Sequence, residues 1–212
     1  MKNTIKIAIL GGGGRTGKYL VTQLLDQGYA LKLLLRSPEN FQLDNPLIEI
    51  IKGDAVDAQA IQLLLKDCQA VISTIGQRKG EPLVASRVTA HVLKSMIAYG
   101  IKRYILIAGL NVDTPFDKKG TETAMATEWM KNTFPKIQED RQKAYSLLAA
   151  SNLHWTMVRV PLIEFTANNR KIVIDLKDCK GTKIDAASIA TFLIKQLSET
   201  EYIRKSPFIA TI

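Results

Sequence analysis

Residues 6–17 read KIAILGGGGRTG, and this stretch decides the fold. The apolar run at residues 7–10 has the length of a buried strand, and residues 15–27 carry apolar positions at helical spacing. Gly11, Gly14 and Gly17 therefore lie at a predicted strand-to-helix turn in the order G-x-x-G-x-x-G. At such a turn, a dinucleotide pyrophosphate can bind exposed backbone N–H groups.

The second predicted strand indicates which dinucleotide binds. The apolar run at residues 31–35 ends in Arg36 and Ser37, where an NAD site usually has an acidic residue for the ribose 2′-hydroxyl. An arginine suits a 2′-phosphate, because it offers paired hydrogen bonds and the opposite charge. We therefore expect NADP(H) to be preferred, with NAD(H) possible. The alternative is that Arg36 is a solvated residue at the end of a strand.

Composition limits the classes of protein to consider. The chain has 212 residues, 46% of them hydrophobic, and this fits one domain with a sizeable core. Cys68 and Cys179 lack metal-ligand spacing, so we expect no metal site, and we expect a reduced, cytoplasmic location. No signal peptide or membrane span is predicted. The net charge of +9 is spread along the chain, which favours attraction of anionic small molecules over nucleic-acid binding.

Strand and helix patterns alternate along the chain with short connections. This alternation predicts an α/β fold with a doubly wound, mostly parallel Rossmann-type sheet. We expect a single domain over residues 1–212, with a core of about 4–160 and a small C-terminal cap of about 161–212. Strands are predicted at 7–10, 31–35, 47–51, 70–75, 103–108, 154–160, 171–176 and 208–212. Helices are predicted at 15–27, 54–66, 82–99, 122–131, 136–150 and 186–197, with a charged loop at 113–119.

The chain resembles atypical short-chain dehydrogenases/reductases with an NAD(P)H-binding domain. It is most similar to the flavin reductase/biliverdin reductase B group and to NmrA-like proteins. The resemblance covers about residues 6–197, most of the chain. Its landmarks are GGGGRTG at 11–17, LLLRS at 33–37, GDAVD at 53–57, ISTIGQR at 72–78, SNLHWTMVRVP at 151–161 and TKIDAASIATFL at 182–193.

The resemblance implies a set of cofactor contacts. The pyrophosphate would lie on the glycine turn, the 2′-phosphate on Arg36, and the adenine near Asp54 and Ala55. Asp54 has an alternative role as the N-cap of the helix that follows. The implied cofactor-binding residues are Gly11, Gly13, Gly14, Arg15, Thr16, Gly17, Arg36, Ser37, Asp54, Ala55, Ile75, Gly76, Gln77, Arg78, Pro161, Leu162 and Ile163.

The catalytic pattern of short-chain reductases is missing. Their Tyr-x-x-x-Lys pair donates a proton, but Ile137 and Arg141 stand at the matching places, and Ala108-Gly109 replace the expected hydroxyl residue. Asn111, Arg141 and Tyr145 are weak catalytic candidates, with Tyr145 better explained as a packing residue.

This absence favours acceptors that need no dedicated acid. Flavins and quinones delocalise the incoming charge and can take their proton from water. We therefore expect an oxidoreductase that acts on a small planar acceptor of this kind. The alternative is an NmrA-like regulatory protein that senses NADP(H) without turnover. Leu110, Asn111, Trp129 and Phe165 are the predicted walls of the acceptor pocket. The sequence does not predict an oligomeric state.

Overall fold

The fold is built on an eight-stranded sheet, seen in a computed structural model that describes residues 5–78 and 80–211. Its strands are β1 (Lys6–Leu10), β2 (Ala30–Leu35), β3 (Ile48–Lys52), β4 (Ala70–Ser73), β5 (Arg103–Gly109), β6 (His154–Val160), β8 (Ile172–Asp175) and β10 (Phe208–Thr211). Two further strands, β7 (Leu162–Glu164) and β9 (Lys183–Asp185), pair in parallel as a separate ribbon. The helices are α1 (Arg15–Asp26), α2 (Ala58–Leu65), α3 (Ala85–Tyr99), α4 (Thr121–Thr133), α5 (Pro135–Ala150) and α6 (Ala186–Lys195), with a short 3-10 helix at Pro38–Asn40.

The strand order is β3-β2-β1-β4-β5-β6-β10-β8, and every neighbouring pair is parallel except β10 with β8. This confirms the predicted doubly wound sheet. The winding reverses between β1 and β4, and ligands of such sheets bind where the carboxyl ends of these two strands diverge.

Strand β1 shows why the sheet is covered on both faces. Its side chains alternate, so Ile7 and Ile9 face one core cluster while Ala8 and Leu10 face the other. The first cluster is closed by α1 and α6, and the second by α2, α3 and α5. Burial on both faces is the reason that these strands read as nearly continuous apolar runs. Along the described chain, no helix combines the length and the apolar character that a membrane crossing requires.

The C-terminal residues contribute more to the sheet than the predicted cap would. Strands β10 and β8 extend the main sheet beyond β6, and α6 packs beside α1 on one face. Among the described strands, only the β7–β9 ribbon stands apart from the sheet. The final predicted strand included Ile212, which lies outside the described residues.

Two predicted helices begin later than expected. Helix α2 begins at Ala58 because Asp57 caps it, accepting a hydrogen bond from Gln59 N at 2.9 Å. Asp54 instead accepts one from Val56 N at 3.1 Å within the preceding turn, so the alternative role of Asp54 as the helix N-cap is wrong. Helix α3 begins at Ala85, where the carboxylate of Asp140 accepts hydrogen bonds from the first amides.

Candidate functional site

The glycine turn after β1 is closed tightly. Gly11 has φ +82°, a conformation that favours glycine, and its carbonyl accepts a hydrogen bond from Gly14 N at 2.9 Å. A Cβ added at Gly17 would lie 2.0 Å from the Gly11 carbonyl oxygen. A Cβ at Gly11 would lie 2.8 Å from the Thr74 hydroxyl at the end of β4. Only glycines at these two positions let α1 approach the turn and let the turn approach β4.

The N-terminus of α1 faces this turn and suits an anion. Gly14 is its N-cap and has no side chain to bond the first amides, so the amides of Arg15, Thr16 and Gly17 have no partner within the helix. The first turn contains no acidic residue, and the helix dipole leaves it partly positive. Gly13 completes the loop. A pyrophosphate fits these residues, because each unpaired amide can donate to a phosphate oxygen.

Arg36 lies at the end of β2 among acidic groups. Its Nη2 donates to Glu81 Oε1 at 3.0 Å, and its Nη1 lies 4.0 Å from Asp54 Oδ2. The hydrogen bond to Glu81 is the main cause that raises the pKa of the guanidinium. Ser37 is exposed beside it, and Ala55 packs against the core next to Asp54. A 2′-phosphate bound to Arg36 would therefore compete with Glu81, a residue that the sequence analysis did not single out.

The residues predicted for the nicotinamide side meet at one cavity. Ile75, Gly76 and Gln77 follow β4, and Pro161, Leu162 and Ile163 follow β6. All six line a cavity of about 580 Å³. Arg78 is outside the cavity wall, with 65% of its side chain exposed and its Nη1 3.7 Å from Glu81 Oε1.

The cavity continues past these six residues between β5, α4 and α5. Leu110, Asn111 and Trp129, three of the four residues predicted for the acceptor pocket, contribute to its wall. Trp129 is 58% exposed and contacts Phe134 edge to face. Phe165 does not line the cavity: its ring lies 4.0 Å from the guanidinium carbon of Arg15, and its carbonyl accepts a hydrogen bond from Tyr19 Oη. The predicted acceptor wall at Phe165 is thus wrong, because the chain turns after β7 towards α1.

The structure places two of the three catalytic candidates in the cavity wall and the third in the core. Asn111 and Arg141 line the cavity and are joined by a hydrogen bond from Arg141 Nη1 to Asn111 Oδ1 at 3.3 Å. Tyr145 is buried in the core, where its ring packs edge to face on Trp155, so it is a packing residue and not a catalytic one. Ile137 and Arg141, the residues at the Tyr-x-x-x-Lys positions, both face the cavity.

Asn111 is held by a residue that the sequence analysis missed. Gln138 of α5 accepts a hydrogen bond from Asn111 Nδ2 and donates one from Nε2 to the Asn111 carbonyl at 2.8 Å. Gly109 makes room for this arrangement, since a Cβ there would collide with Asn111 Oδ1. Burial lowers the pKa of the Arg141 guanidinium, and the charge of neighbouring Asp140 opposes this shift in part.

A group of hydroxyls lies on the buried part of the cavity wall. Tyr104 of β5, Ser73 and Thr89 are all buried, and all three residues line the cavity. Burial raises the pKa of the Tyr104 phenol, and the neighbouring Thr89 and Ser73 side chains only partly offset that rise. The phenol is therefore neutral at physiological pH. No sequence motif joins these three residues, because they come from β4, α3 and β5.

The charged segment before α4 is anchored by a buried ion pair. Arg159 of β6 is fully buried, its Nη1 lies 2.7 Å from Asp117 Oδ2, and its guanidinium stacks on the ring of Phe208. Lys119 Nζ in turn contacts Asp113 Oδ1 at 2.6 Å. These pairs hold the loop that the sequence predicted as merely charged, and so fix the position of α4 at the cavity.

Known proteins of similar fold include cofactor-binding ones. A short-chain dehydrogenase/reductase from Veillonella parvula, solved in complex with NADP, superposes with a TM-score of 0.81 at 15% identity, covering 97% of this chain and 94% of that one. A proposed NADH-flavin reductase from Streptococcus pneumoniae gives a TM-score of 0.76 at 18% identity, covering 98% and 100%. At these identities, the superpositions establish the fold alone.

Sequence comparison identifies the family. An uncharacterized chloroplastic protein of Arabidopsis thaliana is 28% identical over 120 residues, which are 52% of this chain and only 43% of that relative's length. A family model described as NAD(P)H-binding matches residues 11–200. Because that match spans most of the chain, from the glycine turn to beyond α6, the protein belongs to the NAD(P)H-binding family.

Proposed function

We propose that the protein is an NADPH-dependent oxidoreductase that reduces a flavin, a quinone or a similar planar conjugated acceptor. The observation that carries this proposal is the cavity of about 580 Å³, which continues from the predicted nicotinamide contacts at Ile75 and Pro161 into an open space beside Trp129. This volume falls within the range of small-molecule sites, about 300–1,000 Å³.

The chemistry of the wall supports a planar acceptor. Ala108, Ile137 and Val160 offer apolar surface near the predicted nicotinamide position, and Trp129 can stack on a ring at the cavity mouth. Ile137 cannot donate a proton, so reduction of a simple ketone is disfavoured. Flavins and quinones need only correct positioning and a proton from water.

The protein's own residues would hold and orient the cofactor. The glycine turn and the first amides of α1 would bind the pyrophosphate, and Arg36 would bind the 2′-phosphate that distinguishes NADPH from NADH. Bound NADPH supplies a hydride to the acceptor, and water supplies the balancing proton. Leu162 and Ile163 would close the nicotinamide side against solvent.

A steady-state assay tests the proposal. NADPH is mixed with the protein and with FMN, menadione or dichlorophenolindophenol, and the absorbance of the reduced nicotinamide is followed. We expect saturable consumption above the rate without protein. Ala126→Trp should lower kcat/KM for the acceptor at least about 10-fold while NADPH still binds, because Ala126 of α4 lines the cavity and the indole would take up space beside Trp129 that the acceptor needs.

A matched control separates a blocked cavity from general damage. Ala149→Trp makes the same change on the exposed side of α5 and should leave kcat/KM unchanged. Tight NADPH binding with no consumption of any acceptor would contradict the reductase. That result would favour the regulatory alternative, for which the missing Tyr-x-x-x-Lys pair is the supporting observation.

A further inference from the structure

Arg141 is a cation in the wall of a mostly apolar cavity. It lies on α5 and lines the cavity together with Ile137 and Ala144 from the same helix. The wall of the same cavity also contains apolar residues such as Leu106 and Met157, and one further acidic residue, Glu122. Placing a guanidinium in such surroundings costs free energy unless an anion or several hydrogen bonds compensate it.

The protein itself supplies little compensation. Within residues 5–78 and 80–211, no carboxylate oxygen lies within 4.0 Å of the Arg141 guanidinium. The adjacent Asp140 directs its carboxylate to the start of α3, where Oδ2 accepts from Ala85 N at 2.8 Å and Oδ1 accepts from Ser86 N at 3.2 Å and from Ser86 Oγ at 2.5 Å. Among the same described residues, the side-chain hydrogen-bond partner of Arg141 is the neutral amide oxygen of Asn111.

A purely structural role explains Arg141 poorly. Its bond to Asn111 could serve to hold that side chain, but Gln138 already fixes Asn111 with two hydrogen bonds. The bond from Arg141 is also the longest of the three, at 3.3 Å. A guanidinium has five N–H donors, so most of its donor capacity remains for a ligand.

We propose that Arg141 is the anion-recognising residue of the acceptor site. The proposal rests on the proposed function and narrows its substrate class: the preferred acceptor has a planar apolar body and carries a carboxylate or a similar oxyanion. The body occupies the space between Trp129 and Ile137, and the oxyanion receives paired hydrogen bonds from Arg141. Neutral acceptors of the same shape bind more weakly because the partly buried cation stays uncompensated.

Two ligands with one ring system test this inference without any turnover. Hydroxymethylanthraquinone is neutral, and anthraquinone carboxylate bears an anion on the same ring carbon. Quenching of tryptophan fluorescence reports binding of each, since Trp129 is in the cavity wall. We expect the NADP-bound wild-type protein to bind the carboxylate more tightly. Arg141→Met should weaken carboxylate binding by roughly 10- to 100-fold and leave the neutral ligand within about 3-fold.

Two further variants serve as controls for Arg141→Met in this binding experiment. Lys143→Met removes the same charge from an exposed position on α5 and should change neither affinity. Arg141→Lys keeps the charge without the planar fork and should retain part of the preference. If Arg141→Met unfolds, Arg141→Lys and the wild-type preference still decide the question.

The possible outcomes separate the two proposals. Equal affinity of the wild-type protein for both ligands, equal weakening of both by Arg141→Met, or binding of neither ligand would overturn the role of Arg141. An Arg141-dependent preference for the carboxylate, in a protein that consumes no NADPH with any acceptor, would uphold the anion site and refute the reductase. NADPH consumption by a protein that does not prefer the carboxylate ligand would uphold the reductase and refute the anion-recognising role of Arg141.

Discussion

At the scale of single residues, the proposed preference for NADPH over NADH rests on Arg36. In the structure its guanidinium is held between Glu81 and Asp54, and both carboxylates are partly exposed. Exposed ion pairs contribute only about 0–1 kcal/mol each, whereas a phosphate that binds an arginine with charge-assisted hydrogen bonds contributes about 1.5–3 kcal/mol. A 2′-phosphate should therefore displace Glu81 from Arg36.

Replacing Arg36 should change the preference between the two cofactors. We expect Arg36→Asp to weaken NADPH binding by roughly 10- to 150-fold and NADH binding much less, because only NADPH carries the 2′-phosphate. Isothermal titration calorimetry with both cofactors measures the two dissociation constants. Arg87→Asp makes the same charge change on an exposed position of α3 and is the control. Equal losses for NADPH and NADH would refute the 2′-phosphate role.

At the scale of elements, the β7–β9 ribbon depends on one buried carboxylate. Asp185 has no exposed surface, and its side chain accepts hydrogen bonds from Thr166 Oγ1 at 2.7 Å and from Arg170 Nε at 2.7 Å. The Arg170 hydrogen bond is the main cause that lowers the pKa of Asp185. These contacts hold the segment after β7 beside the start of α6, next to the residues predicted to cover the nicotinamide.

This lowered pKa predicts a pH-dependent stability. A carboxyl group whose pKa is lower in the folded than in the unfolded state stabilises the fold above its unfolded pKa, about 3.9, and loses that contribution as the pH falls through the folded pKa. Asp185→Asn removes the charge at constant shape and should lower the free energy of unfolding by about 1–3 kcal/mol at neutral pH. The difference from wild type should shrink progressively below about pH 4.

Urea unfolding of both proteins between about pH 3 and pH 7 measures this difference. Asp26→Asn at the exposed end of α1 serves as the control and should have almost no effect at any pH. A difference for Asp185→Asn that stays constant down to the lowest pH would show that the charge of Asp185 does not stabilise the ribbon.

At the scale of the whole molecule, local patterns predicted the core of the fold. The β1–turn–α1 unit and the six strands up to β6 follow from apolar runs, glycines and helical spacing, all of which act within a few residues. Strands β7 and β9 have three residues each, too few to leave a periodic pattern, and their pairing joins segments far apart in the chain. Their formation depends on tertiary contacts, so the sequence could not reveal them.

The candidate site, like the fold, combines residues that local sequence patterns predict with contacts that depend on the tertiary structure. The glycine turn and Arg36 are local features that a motif can identify. The contacts of Glu81 and Gln138 in the candidate site, and the position of Tyr104 in the cavity wall, arise only when distant elements meet. The Arg159–Asp117 pair spans 42 residues of sequence. Phe165 was misplaced because the direction of the chain after β7 is decided by its contacts with Arg15 and Tyr19 on α1.

The charge of the whole molecule should affect how fast the cofactor binds. The chain has 29 Lys and Arg against 20 Asp and Glu, and the cations divide evenly, 14 in residues 1–106 and 15 in residues 107–212. A net charge of +9 spread in this way attracts any polyanion over long range, and added salt screens that attraction.

NADPH carries one phosphate more than NADH. We therefore expect its association rate to fall several-fold, within about 10-fold, when the ionic strength rises from about 0.01 to about 0.2 M. Stopped-flow fluorescence measures the association rates of NADPH, NADH and a neutral quinone. The rate for NADH should depend less on ionic strength than the rate for NADPH, and the rate for the quinone should hardly change. An equal response of all three ligands would mean that salt acts on the protein's conformation and not on electrostatic attraction of the cofactor.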